Sequence, residues 1–269
     1  MGHACNDISA HMGQVRPEQA TAELKALFRT DDPASLRCFA VLEGKADGWL
    51  WTDSLARPTW GVVQEAGFRS IYLGGAPDTQ ALTALITELG QTGEVLIGLP
   101  HGDRRFESLP PNSDYIGSTL EFTDRPMGEG LDVWLRQLPQ GCQLQRINRE
   151  LLARCLERDL LVRIFGSVEK ALANSFGLCL TRDGHILSEA HAGPAALGMI
   201  EIGTMTHERH RDRGFATLTC AHLVHACEEL GFQTYWNCAK HNRASVALAR
   251  KLGYRAVKEY DLRAWFEPA

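Results

Sequence analysis

The sequence predicts an α/β fold on a mixed, mostly antiparallel sheet flanked by helices. Three observations carry that prediction. Phe176–Thr181, His185–His191 and Leu197–Met205 read as consecutive strands, the first two joined by the hairpin turn Arg182-Asp183-Gly184. A long helical pattern over Phe215–Leu230 follows and stops at Gly231, a residue suited to a helix C-cap. Strand Gln233–Cys238, helix Arg243–Leu252 and strand Ala256–Ala264 then alternate.

The first half reads less sharply. Leu24, Leu27 and Phe28 share a face of an amphipathic helix over residues 14–30. Cys38–Leu42, Gly48–Thr52 and Ser70–Leu73 read as strands. Asp78 caps a helix over Thr79–Leu89 that stops at Gly90. Glu94–Leu99 is a buried-type strand ended by Pro100. Residues 100–130 read as irregular and as the domain boundary region, from Pro110-Pro111-Asn112, Gly117 and Gly128. Cys142–Ile147 reads as a strand, and Glu150–Asp159 and Ser167–Ala173 as short helices. The expected division is an N-terminal α/β domain over residues 1–135 and a second domain over residues 143–269.

The chain has 269 residues and a net charge of −5. Residues 1–142 carry 11 Lys and Arg against 19 Asp and Glu, and residues 143–269 carry 17 against 14. The acidic half suits a cationic substrate. No apolar run approaches the roughly 20 residues of a membrane span, and no secretory h-region opens the chain. The expectation is a cytoplasmic protein with no membrane partner. No basic stripe with interleaved aromatics suggests nucleic acid. The eight cysteines form no C-x-x-C pair and read as core filler, Cys5 included. His222 and His225 sit three apart on a helix, but nothing completes a metal site, so none is expected.

The chemistry concentrates in Arg211-Asp212-Arg213-Gly214-Phe215-Ala216, between an apolar strand and a long helix. A helix N-terminus offers free backbone N–H groups and a positive dipole end, which suits a phosphate. Gly214 permits close backbone approach. Asn242-Arg243-Ala244-Ser245 opens the next helix, which closes in Lys251-Leu252-Gly253-Tyr254.

Together these resemble the GNAT N-acetyltransferase superfamily. Its members carry a strand, a Q/R-x-x-G-x-G/A loop, a helix, a strand, an N-x-x-S/A turn, and a helix closing in K-x-G-F/Y. The resemblance covers residues 143–269. With Tyr235-Trp236-Asn237-Cys238 it is nearest the zwittermicin A resistance protein group. It implies a GNAT-type sheet, acetyl-CoA as cosubstrate and a small-molecule primary amine as acceptor. The strand–helix–strand order of the first half admits a degenerate GNAT copy, though no motif marks one. Residue by residue, the resemblance implies that Met205 and Thr206 pair with the pantetheine arm. Amides across Arg211, Asp212, Arg213, Gly214, Phe215 and Ala216 would hold the pyrophosphate, and Asn242 and Ser245 would contact the arm near the thiol.

Glu201 is the first candidate base, on the same strand face as Gly203 and Met205. Its competing reading is a strand-edge glutamate paired with an arginine. Glu189 and His191 are alternatives, His191 having the better intrinsic pKa. The tyrosine that many members place two residues before the lysine of K-x-G-F/Y is Ala249 here. Either Ser245, Cys238 or water would then supply the proton to the leaving thiolate, or none is needed. Trp49, Trp51 and Trp60 read as core or as a wall of the acceptor pocket, and His101–Arg105 as a lid or plain surface. Two other functions stay open: a protein or peptide N-acetyltransferase, and a non-catalytic acyl-CoA-binding regulatory module.

Overall fold

A computed structural model describes residues 13–266; Cys5 lies outside them. In chain order the first half runs β1 (Gly13–Val15), α1 (Ala22–Lys25), α2 (Ser35–Leu42), β2 (Gly48–Thr52), β3 (Trp60–Glu65), β4 (Ser70–Gly75), α3 (Thr79–Gly90), β5 (Val95–Pro100), β6 (Asp114–Asp124) and α4 (Asp132–Leu135). The rest runs β7 (Cys142–Arg146), α5 (Arg149–Leu152), α6 (Arg158–Phe165), α7 (Val168–Asn174), β8 (Gly177–Arg182), β9 (His185–Ala192), β10 (Met199–Thr206), α8 (Phe215–Glu229), β11 (Gln233–Ala239), α9 (Arg243–Lys251) and β12 (Arg255–Trp265).

One sheet of twelve strands runs through both halves, in the order β1-β2-β3-β4-β5-β12-β6-β11-β10-β9-β8-β7. Every neighbouring pair is antiparallel except β4–β5 and β10–β11. A helical crossover joins each parallel pair, α3 for the first and α8 for the second. Both pairs part early. Only Ser70 and Ile71 of β4 face β5, and only Met199, Ile200 and Glu201 of β10 face β11. Beyond those residues the strands splay.

The halves exchange their last strands. β6 follows β5 in the chain but pairs with β11, and β12 follows β11 but pairs with β5. β6 and β12 also pair with each other over most of their length, so they form the seam. Arg125, just past β6, closes this seam against the second half. Its guanidinium pairs with buried Glu228 of α8, and its Nε donates to the Leu252 carbonyl at 2.8 Å. One core cluster packs α8 against β6, β9, β10 and β11 around Phe122 and Trp236. Another packs α3 against β3, β4 and β5.

Four expectations are corrected. The one helix expected over Glu150–Asp159 is two, α5 and α6, parted where the Leu156 and Glu157 amides donate to the Glu189 carboxylate instead of a helix carbonyl. The helix expected over residues 14–30 is a strand, a 3-10 turn over Pro17–Gln19 and the four-residue α1. Pro17 starts the turn, and Thr21 caps a fresh helix by accepting from the Leu24 amide at 3.2 Å. The strand expected over Cys38–Leu42 is helix α2, where Leu36, Cys38, Ala40, Val41 and Leu42 are all buried. A short apolar run buried on several sides carries no usable period. The irregular stretch expected over residues 100–130 contains β6, eleven residues long and central in the sheet. Strand β3, every residue of it buried, was not anticipated.

Candidate active site

The β10–β11 splay opens a cleft of about 260 Å³ between the two halves. β10 contributes Glu201 to Thr204 and β11 contributes Trp236 to Ala239, while α2 brings Arg37 and β3 brings Glu65. Of the residues singled out from sequence, Glu201, His191, Asn242 and Ser245 line this cleft. Met205 and Thr206 continue β10 beyond it, paired to β9 through Glu189 and Ser188. The edge of β10 that faced β11 is unpaired from Ile202 onward.

The loop Arg211–Ala216 follows β10 after a short 3-10 turn over Glu208–His210. Asp212 and Gly214 both take left-handed backbone conformations, φ 61° and 77°. Gly214 is the N-cap of the fifteen-residue α8, and no side chain caps that helix. Its first amides are therefore open to an anion. The corresponding helix of the first half is closed. Asp78 accepts from the Gln80 and Ala81 amides at 2.9 and 3.0 Å, which occupies the donors a phosphate would use.

Glu201 is paired with an arginine, as its competing reading expects, and that arginine is Arg37, which sequence reasoning did not name. Arg37 donates from Nη2 to Oε1 at 2.6 Å and from Nε to Oε2 at 2.7 Å, a bidentate pair. The guanidinium also stands 4.0 Å above the Phe68 ring and 3.7 Å from Glu65. Glu65 accepts from the Tyr72 hydroxyl at 2.9 Å. Burial raises the Glu65 carboxyl above its ordinary pKa and Glu201 adds to this, while Arg37 and Tyr72 oppose it. Glu157 on the cleft wall is also raised, by burial and then by Glu189. The lining thus holds three carboxylates against one guanidinium.

His191 is buried at 5% exposure with its Nδ1 unpartnered. Its ring lies over Gly203, where a Cβ would come within 2.3 Å of Nε2. Burial drives its pKa down to about 4, so the imidazole is neutral near pH 7 and loses its intrinsic advantage as a base. Ser245 Oγ accepts from Trp236 Nε1 at 3.0 Å, and Asn242 Oδ1 accepts from the Ser245 amide at 3.2 Å. Cys238 lies beside them, and burial raises its thiol pKa. That keeps the sulfur protonated, which disfavours a nucleophile.

Ala249 is fully buried in the core beneath α8 and α9. Trp51 and Trp60 belong to the α3 core, and Trp49 is 38% exposed; none of the three lines the cleft. The polar stretch near His101 is tied down rather than free, because Arg105 pairs with Asp32 and Asp103, and His101 with Asp261. Arg37 and Glu65 left one trace in the sequence. Each is the one charge in its element, and a buried charge needs a partner.

Comparison with known proteins agrees with the fold. A family model described as GNAT acetyltransferase matches residues 25–262. An uncharacterized N-acetyltransferase of Bacillus subtilis, YdfB, is 28% identical over 128 residues. That match covers 47% of this chain and about half (49%) of the relative's length. Among solved structures, a GCN5-related N-acetyltransferase-like protein from Streptococcus suis is 25% identical, with a TM-score of 0.71. The match covers 93% of this chain and 100% of that one. A tandem GNAT protein from the clavulanic acid biosynthesis pathway shares the fold at 14% identity and a TM-score of 0.57, covering 96% of this chain and 99% of its own. With the family model spanning most of its length and the splayed parallel pair at its centre, this chain belongs to the GNAT acetyltransferase family.

Proposed function

We propose that this protein is an N-acetyltransferase that moves an acetyl group from acetyl-CoA to a primary amine of a small molecule. The observation that carries this is the uncapped N-terminus of α8, set at the end of a β10 edge that has no strand partner. The residues fit the cosubstrate. Amides of Arg211–Ala216 hold its pyrophosphate, the β10 edge through Met205 and Thr206 pairs with the pantetheine arm, and Asn242 and Ser245 lie where the arm enters the cleft. When bound, acetyl-CoA supplies an activated thioester.

The chain's own groups do the rest. An amine arrives as an ammonium ion, and the excess of carboxylates in the cleft favours that cation. Glu201 takes its proton, directly or through water, while Arg37 fixes the carboxylate's orientation. His191 is the weaker alternative, since burial disfavours its protonated form. Ser245 keeps a hydroxyl proton to donate, since its oxygen already accepts from Trp236. The modest volume of the cleft, about 260 Å³, favours a small acceptor over a peptide. Trp236, Asn237 and Cys238 all line it, in keeping with a place near the zwittermicin A resistance group. Residues 1–135 act as a degenerate GNAT copy with a closed helix N-terminus, and residues 143–269 as the cofactor-bearing domain.

A non-catalytic acyl-CoA-binding module is the second reading, favoured by Ala249 in place of a proton-donating tyrosine. Calorimetric titration of acetyl-CoA into wild type and Gly214→Trp tests the cofactor assignment. Wild type binds, and the variant loses about a hundredfold or more in affinity while keeping its melting transition. Normal affinity in the variant rejects the loop assignment. Thiol release with an amine panel then separates enzyme from module.

A further inference from the structure

Beyond its strands, the cleft is walled by two helices from opposite halves of the chain, α2 and α6. Leu36 and Ala40 of α2 and Leu160 and Ile164 of α6 give it apolar sides, each pair four residues apart on one helix face. The Asp47 amide donates to the Ile164 carbonyl at 2.7 Å, which ties α6 to the first half. Glu157 also lines the cleft, three residues before Leu160 on the same helix face. It is the N-cap of α6, yet its side chain caps nothing. Among the described residues its carboxylate makes no salt bridge. Its backbone is fixed all the same, because the Leu156 and Glu157 amides donate to the buried Glu189 carboxylate at 3.0 and 2.8 Å. The fold therefore holds Glu157 in place without using its charge.

The other two carboxylates of the lining differ from it. Arg37 pairs with both Glu201 and Glu65, and Tyr72 donates to Glu65 as well. Three carboxylates against one guanidinium leave two negative charges, and one ammonium answers only one of them. A second group of the lining is unsatisfied too. His191, 5% exposed, keeps its Nδ1 without a partner, so the protein alone does not meet the cleft's polar demand. Burial and Glu189 raise the Glu157 pKa, and Arg163 opposes this without forming an ion pair. A cation in the cleft relieves that carboxylate. We propose that the acceptor is an aliphatic dication: the amine that reacts lies at Glu201, and a second ammonium, joined to it by an apolar stem, is met by Glu157. The proposal rests on the acetyl-transfer reading above and names its acceptor class. Glu157 is the specificity-determining residue and touches no reacting atom.

The test measures thiol release from acetyl-CoA with α,ω-diaminoalkanes, ω-amino alcohols and ω-amino acids of matched chain lengths. Wild type, Glu157→Gln and Glu157→Asp are compared at fixed ionic strength. Wild type turns over the diamine with a kcat/KM about tenfold or more above that of the matched amino alcohol, and the amino acid is poorest. In Glu157→Gln that advantage falls to about twofold, the factor expected from two equivalent amines, and it falls through KM rather than kcat. Glu157→Asp keeps the charge and the larger part of the preference. Equal wild-type constants for diamine and amino alcohol overturn the inference, as does a wild-type ratio retained in Glu157→Gln. Calorimetric titration of the diamine into CoA-loaded protein separates this failure from failure of the acetyl-transfer reading. Glu157-dependent diamine binding without thiol release rejects acetyl transfer and keeps the recognition. Diamine binding that Glu157→Gln leaves intact overturns the recognition itself.

Discussion

His191 and Glu201 show how neighbours reset a residue's chemistry. His191 binds a proton more weakly folded, at about 4, than unfolded, near 6.5. Between those values the unfolded chain holds the extra proton, so stability falls as pH drops from 6.5 toward 4. The loss reaches about 3 kcal/mol. Urea unfolding across that range, compared with His191→Gln, checks this: the variant's profile is flatter by that amount. Glu201→Gln slows thiol release on the order of a hundredfold and leaves acetyl-CoA affinity intact. A rate–pH profile identical to wild type removes Glu201 from the mechanism. The loop Arg211–Ala216 was legible in the sequence because its residues are consecutive and carry their own conformational demands. Arg37 and Glu65 were not, because the contact from Arg37 to Glu201 spans 164 positions.

Among elements, those with a hydrogen-bonding or capping signature read correctly: the β8–β9 hairpin, α3 behind Asp78, α8 and β11. Of those read from burial alone, Glu94–Leu99 came out as β5, but others did not. Helix α2 and strand β3 are mostly apolar and carry one charge each, and β6 is bracketed by prolines and glycines that read as loop. What makes β6 a strand is its two neighbours, β11 and β12, both supplied by the far half of the chain. Arg125 is the pin that holds its end to α8. Arg125→Ala leaves Glu228 buried without its counter-charge and lowers stability by about 3–5 kcal/mol in denaturant unfolding. Replacing both partners with apolar residues of similar volume costs far less.

At the scale of the molecule, each half carries a parallel pair joined by a helical crossover, and both pairs sit in one sheet. The first half keeps the splay of β4 and β5 but caps α3 with Asp78, and it contributes Arg37 and Glu65 to the other half's cleft. No helix of the described residues is long and apolar enough to cross a membrane. The exchange of β6 and β12 also sets an order on biosynthesis. A ribosome delivers β5 long before β12, so during translation β5 presents a bare row of peptide groups that only residues 255–265 will cover. For that interval the nascent first half is a half-finished sheet with an adhesive edge, and its safety depends on how quickly the last strand arrives.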